Sequence, residues 1–193
     1  MTIGDSIDET IVAYRPLYSD TTIATGREYY YRVIAHGNGG DSPPSETDGP
    51  VAITHHTLVD ELLPGREKFS ATMGTAFTDQ KSWRFKYDFH RRKGSRDDYL
   101  EYTVDGAVDS VRIFAFFPKK FSSFRVEIST DGKRYLPAEV RSLPFPYCCA
   151  DPRDRLRLPV LFIAGSPIPK GNRVRIIFPG GGAQAGRCEI DYR

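Results

Sequence analysis

FRVEISTDGKRY, residues 124–135, is the stretch of sequence that decides the fold. In its first six residues, apolar Phe, Val and Ile alternate with polar Arg, Glu and Ser. A period of two places the apolar side chains on one face, which is typical of an antiparallel strand with one buried side. Asp131-Gly132 then supplies a hairpin turn, and residues 133–140 (KRYLPAEV) form the returning strand.

The same alternation recurs on both sides of this hairpin. Further strands are predicted at residues 83–89 (WRFKYDF), 99–104 (YLEYTV), 109–117 (DSVRIFAFF), 158–164, 173–178 and 187–192. The glycine run at residues 180–182 predicts a hairpin loop between the last two strands. Many short strands, separated by turn signals and without sustained helical periodicity, predict an all-β chain built as an antiparallel β-sandwich or jelly roll.

Composition limits the partners of the chain. A length of 193 residues suits one large or two small domains, and a net charge of +2 does not require nucleic acid or an anionic membrane as the partner. No apolar run approaches the roughly 20 residues of a membrane span, and residues 1–20 lack a signal-peptide pattern. If the protein is secreted, its signal therefore lies outside this sequence. A bridge from Cys148 or Cys149 to Cys188 and free thiols both stay open.

The N-terminal part has a pattern of its own. Residues 29–46 (YYYRVIAHGNGGDSPPSE) combine an alternating strand, predicted at 29–35, with a glycine- and proline-rich loop. Together with the strand and turn before it, this stretch resembles the late part of a fibronectin type III domain. Such a sandwich needs roughly 100 residues, so the resemblance implies a partial domain at residues 1–52, with its tyrosine face, including Tyr29, Tyr31 and Val33, buried against the next module or else disordered. A tyrosine-rich strand followed by a linker is the alternative.

Residues 58–193 resemble another family. The segments 99–104, 109–114, 124–135 and 168–178 (IPKGNRVRIIF) are similar to successive strands of a galactose-binding-like jelly roll, the fold of discoidin-type domains and many bacterial carbohydrate-binding modules. With the segment before it, this implies a non-catalytic accessory region of a secreted polysaccharide-degrading enzyme, whose partners are a polysaccharide or oligosaccharide and an attached catalytic domain. Fold analogy alone assigns no function, so a structural spacer and part of a carbohydrate-active enzyme remain alternatives.

Sugar recognition needs flat aromatic faces and planar polar groups. Phe145 and Tyr147 lie in a proline-stiffened loop (LPFPYCC, residues 143–149), and Trp83 is the single tryptophan. All three are candidates for stacking on a sugar ring. Plugging the end of the core is the alternative for the loop rings. Core packing is the expected alternative for Trp83 and for the rings that share its face, Phe85, Tyr87 and Phe89.

The segment HRRKGSRDD, residues 90–98, is the polar candidate. At the rim of the fold it would offer planar groups to hydroxyls or to acidic sugars, since an arginine fork matches a carboxylate. An ordinary solvated turn is the alternative. The candidate residues are Arg91, Arg92, Arg96, Asp97 and Asp98.

A structural calcium ion is implied by the jelly-roll resemblance, near the first and last strands. Asp60, Glu61 and Glu189 are the carboxylates that would hold it. Without calcium, they are predicted to be exposed strand ends. The sequence contains no recognisable catalytic motif, and it predicts no catalytic residue.

Overall fold

The computed structural model describes residue 20 and residues 22–85, 88–118, 120–144 and 157–193. In this part of the chain every extended element is a β-strand, and the single helix is a 3-10 turn at Ser82–Phe85. The strands, in chain order, are β1 (Glu28–Tyr31), β2 (His36–Gly37), β3 (Gly40–Asp41), β4 (Asp48–Ala52), β5 (His56–Asp60), β6 (Ala71–Met73), β7 (Ala76–Thr78), β8 (Arg91–Lys93), β9 (Arg96–Thr103), β10 (Val108–Phe117), β11 (Arg125–Ser129), β12 (Leu136–Ala138), β13 (Val140–Pro144), β14 (Leu158–Ala164), β15 (Arg173–Pro179) and β16 (Gln184–Tyr192).

Two antiparallel sheets form a β-sandwich. The larger has seven strands in the order β13-β14-β10-β16-β8-β7, with β5 pairing with β16 on the same side as β8. The smaller has five strands in the order β12-β11-β15-β9-β6. Most neighbours in both sheets are distant in sequence, so the fold is held together by long-range pairing.

The core lies between the two sheets, where the alternating strands predict it. On β10 the side chains of Val111, Ile113 and Phe117 point into this core, and they are almost completely buried. The rings of Phe117, Phe124, Phe162 and Phe178 form its aromatic centre, with neighbouring centroids 5.0 to 6.2 Å apart. Each such pair adds about 1 kcal/mol beyond the burial of its area.

Most of the predicted strands are confirmed, including the hairpin that begins at residue 124. Asp131 closes its turn, because its carboxylate accepts hydrogen bonds from the backbone N–H groups of Lys133 and Arg134 at 2.8 and 2.9 Å. The same contacts lower the pKa of Asp131. The predicted return strand is divided into β12 and β13, which belong to different sheets.

The strand predicted at residues 83–89 is wrong. The chain forms the 3-10 turn at Ser82–Phe85 instead, and this turn covers the outer face of the seven-stranded sheet. Phe85 packs edge-on against Phe116, with ring centroids 5.5 Å apart. Trp83 and Phe89 are 41% and 53% exposed, so core packing is also wrong for these two rings.

The N-terminal region forms two small sheets, in which β1 pairs with β4 and β2 pairs with β3. The strand predicted at 29–35 ends at Tyr31. Tyr29 and Tyr31 are half-buried, whereas Val33 is 71% exposed, so the prediction of a buried face is wrong for Val33. Thr25 Oγ1 contacts His56 Nε2 at 3.2 Å, at the start of β5. No helix in the described part of the chain has the length and apolar character of a membrane span.

Candidate binding groove

An open groove of about 540 Å³ lies at one end of the sandwich. It is formed where β6 turns into β7, β8 into β9, and β15 into β16. We call it the end groove. Its walls contain the cations Lys93 and Arg96, the hydroxyl of Ser95 and the amide of Gln184, and the described lining residues include no carboxylate. Five further lining residues are glycines, which shape the groove: Gly74, Gly94, Gly180, Gly181 and Gly182.

Glycine is required at two of these turns for different reasons. A Cβ atom at Gly94 would lie 2.6 Å from the ring of Phe178, so this turn packs directly on the core. Gly180, Gly181 and Gly182 have φ angles of 77°, 65° and 81°, a conformation that other residues rarely adopt. The β15–β16 loop predicted from the glycine run is confirmed, and it leaves backbone, not side chains, at this wall of the groove.

A β-bulge positions Arg96 at the rim. Arg96 lies opposite Pro179 and Tyr99 opposite Ile177, so three steps on β9 face two steps on β15. The extra residue is Asp97, with a φ of 71°. A bulge bends its strand and redirects the neighbouring side chains, and the side chain of Arg96 is exposed here.

A second depression, of about 200 Å³, adjoins the end groove and shares Arg96 and Pro179 with it. Ser122 and Ser123 contribute to its wall. Asp97 and Arg125 also line it and form an ion pair of 2.6 Å, in which both side chains are 60% exposed. The two depressions adjoin at Arg96 and Pro179, and together we call them the track.

Arg91 lies in the interior, not at the rim where the sequence placed it. Its side chain is completely buried, and its guanidinium lies 3.9 Å from the ring centroid of Phe85. Its Nε donates to Oε1 of Gln184 at 2.9 Å, and its Nη2 donates to the carbonyl of Gln80 at 2.7 Å. Because arginine only donates, this contact fixes the amide oxygen of Gln184 inward and leaves its Nε2 as the outer donor.

The other predicted polar residues separate into two groups. Arg92 is paired with Glu67 at 2.7 Å and lies over the ring of Phe69, so it is part of the packing. The Asp98 carboxylate accepts the backbone N–H of Ser95 at 2.6 Å, which closes the β8–β9 turn. Of the described candidates, Arg96 lines the end groove and Asp97 lines the adjoining depression.

Of the predicted aromatic residues, only Trp83 lies in the described part of the chain, and it does not line the end groove. Trp83 is on the 3-10 turn, with the guanidinium of Arg84 lying 5.0 Å from its ring centroid. Phe145 and Tyr147 lie outside the described residues, as do Cys148 and Cys149. The two strands that flank this segment, β13 and β14, end and begin at the same end of the sandwich as the groove.

The carboxylates predicted for calcium already accept hydrogen bonds within the fold. Asp60 is buried and accepts from the backbone N–H of Leu62 at 2.8 Å, the N–H of Lys68 at 3.1 Å and the hydroxyl of Tyr102 at 3.1 Å. In the described residues no group of three or more His, Cys, Asp or Glu side chains is arranged to hold a metal ion.

Glu61 and Glu189 both bind Arg187, and Glu189 also binds Arg112 at 2.6 Å. Asp60 and Glu189 are buried, so these two are not the exposed strand ends that the sequence predicts in the absence of calcium. The calcium site itself stays a prediction. A higher melting temperature in millimolar calcium than in chelator is the measurement that decides it.

The Glu189 contacts belong to a charged network on the outer face of the seven-stranded sheet. Arg112 Nη1 donates to Asp191 at 2.6 Å, and Ser110 donates to the same carboxylate at 2.5 Å. Burial alone would raise the pKa of Asp191, but hydrogen bonds from Arg112, Ser110 and Thr57 outweigh it and lower this pKa below the ordinary 3.8. On the inner face of the same strand, burial raises the pKa of the free thiol of Cys188 far above its usual range.

Lys93 and Gln184 are the functional candidates that sequence reasoning missed. Lys93 belongs to the polar segment 90–98 but was not among its named candidates, and Gln184 has no local signal because it pairs with β8 from far along the chain. No protein-family model and no curated protein matches this sequence.

Proposed function

We propose that the chain is a non-catalytic carbohydrate-binding module that holds a polysaccharide along the track at the end of the sandwich. The observation that carries this proposal is the track itself: an open concave surface with outward hydrogen-bond donors, whose floor is backbone at the glycine turns. A polymer can approach a surface of this kind closely, and its hydroxyls find donors without displacing side chains.

The architecture supports the same proposal. A seven- and a five-stranded antiparallel sheet agree with the galactose-binding-like jelly roll that residues 58–193 resemble, and the small sheets before β5 agree with a partial fibronectin type III segment. The proposed setting is a secreted polysaccharide-degrading enzyme. There the module raises the effective concentration of an attached catalytic domain at its substrate.

The aromatic residues predicted from the sequence are proposed as secondary contacts. Trp83 offers one open face, since Arg84 lies over its indole. Phe145 and Tyr147 belong to the connection between β13 and β14 and are proposed to stack on sugar rings. Their replacement by Ala is expected to weaken binding less than filling the groove.

The test is retardation of the protein in gels that contain a panel of neutral and acidic polysaccharides. Ala76→Trp places a large ring in the end groove, because Ala76 is an exposed residue of its wall. Ala71→Trp is the matched control, since Ala71 is also exposed but lies on β6 outside the groove. The proposal predicts that at least one polysaccharide retards the parent and Ala71→Trp but not Ala76→Trp. Retardation of all three proteins alike, or of none, contradicts it.

A further inference from the structure

The cations of the end groove, Lys93 and Arg96, differ in their partners from most of the arginines in the two sheets. Ion pairs neutralise most of the arginines in the strands, namely Arg92, Arg112, Arg125, Arg173, Arg175 and Arg187. Lys93 and Arg96 have no carboxylate within ion-pair distance among the described residues, and both side chains are exposed.

The acidic side chains nearest in sequence do not neutralise these cations. Asp98 is held by the backbone N–H of Ser95, and Asp97 is paired with Arg125. A lining with two cations and no carboxylate carries a positive potential, and concave surfaces focus such a potential. The end groove therefore favours an anionic group over a neutral one.

We infer that the end groove binds an acidic polysaccharide, through the carboxylate of a uronic acid residue. Arg96 supplies the planar fork that matches a carboxylate, and Lys93 supplies a second charge. The Nε2 of Gln184, oriented by the buried Arg91, is positioned to donate to a neighbouring hydroxyl. This inference rests on the proposed carbohydrate-binding function and names the class of sugar.

The same observations favour a uronate polymer over nucleic acid. Proteins that bind single-stranded nucleic acid combine several cations with rings on which bases stack, and the described lining of the end groove has two cations and no ring. A polyuronide has one carboxylate on each sugar, which matches a site with one fork and one ammonium group. The serine hydroxyls of the adjoining depression then face the next sugar.

The experiment measures affinity for polygalacturonate, for its methyl ester and for single-stranded DNA, in chelator so that calcium does not cross-link the polymer. The full chain is compared with Arg96→Gln, Lys93→Gln and Arg96→Lys, and Lys133→Gln is the matched control on an exposed turn outside the groove. We expect polygalacturonate to bind about tenfold more tightly than the ester, because the ester lacks the charged acceptor. Each Gln variant is expected to lose this preference, Arg96→Lys to lose part of it, and Lys133→Gln to keep it.

The outcomes separate this inference from the proposed function. Equal affinity for acid and ester, with both abolished by Ala76→Trp, overturns the inference and leaves the proposed function intact. DNA bound as tightly as polygalacturonate overturns it in favour of unspecific attraction of polyanions. Absence of binding to every polymer, in the polysaccharide panel as well, overturns both.

Discussion

The outer face of the seven-stranded sheet and the end groove contain the same kinds of side chain in opposite situations. On the face, Arg112 and Arg187 are held by Glu189 and Asp191, whose side chains are 6% and 8% exposed. In the groove, Arg96 and Lys93 are exposed and have no carboxylate partner within the described structure. The difference separates cations whose partners hold them in the fold from exposed cations that are proposed to bind a ligand.

The largest expected effect on stability follows from removing a cation from the charged network on the outer face of the seven-stranded sheet. Arg112→Ala leaves Glu189 and Asp191 with less compensation in a buried setting, so we expect the free energy of unfolding to fall by about 3 kcal/mol in denaturant titrations. Arg125→Ala is the control, because its pair with Asp97 is largely exposed and contributes less than about 1 kcal/mol. Equal losses of unfolding free energy in the two variants would show that burial of the charged network does not increase its contribution to stability.

The turn that carries the groove depends on Gly94. Gly94→Ala forces a Cβ to within 2.6 Å of Phe178, a core ring with no room to move, and we expect a loss of about 1 to 3 kcal/mol in unfolding free energy. Gly165→Ala is the matched control, since a Cβ there meets nothing within 4 Å. A Gly94→Ala protein as stable as the control contradicts the packing of this turn on the core.

Low pH is expected to lower the stability of the protein through the charged network on the outer face, and not through the end groove. The pKa of Asp191 is lowered in the folded protein, so its contribution to stability is present above the ordinary value of 3.8 and is lost as pH falls below it. Melting temperatures between pH 7 and pH 3 should therefore fall less steeply for Asp191→Asn than for the parent. Asp105→Asn, at an exposed turn, should keep the parental slope. The same dependence of melting temperature on pH in all three proteins would contradict this role of Asp191.

The smallest effect on stability is expected in the groove. Lys93→Gln and Arg96→Gln remove exposed cations without partners, so their unfolding free energies should stay within about 0.5 kcal/mol of the parent. Chemical denaturation tests this. A loss of several kcal/mol in either variant would place that residue with the structural arginines and end the contrast between the two regions.

The sequence predicted the sandwich well because apolar, buried side chains alternate with polar ones along most of its strands. Residues 109–117, for example, have a period of two that any sheet order preserves, and β10 confirms it. The strand predicted at 83–89 was wrong because its rings do not share one face: Phe85 packs on Phe116, whereas Trp83 and Phe89 are exposed. Alternation predicts which side chains share a face of a strand, but it does not predict which other part of the chain packs on that face.

The site was predicted only in part. The polar segment 90–98 contains Arg96, which reaches the groove, but also Arg91, which is completely buried. Burial of Arg91 depends on Phe85 and Gln184, and Gln184 is 93 residues away in the chain. Long-range contacts of this kind leave no local pattern, and they also explain why Gln184 was missed.

The central claim is that the end groove is the sugar-binding surface. The most direct measurement is a titration of isotope-labelled protein with an oligogalacturonate, followed by the chemical shifts of the backbone amides. The account predicts that the largest shift changes occur at Gly94, Ser95, Arg96 and residues 180–184, and that they disappear in Ala76→Trp. Shift changes centred on Trp83 or on the charged face around Arg112, or no changes at concentrations at which the polymer retards the protein, would contradict it.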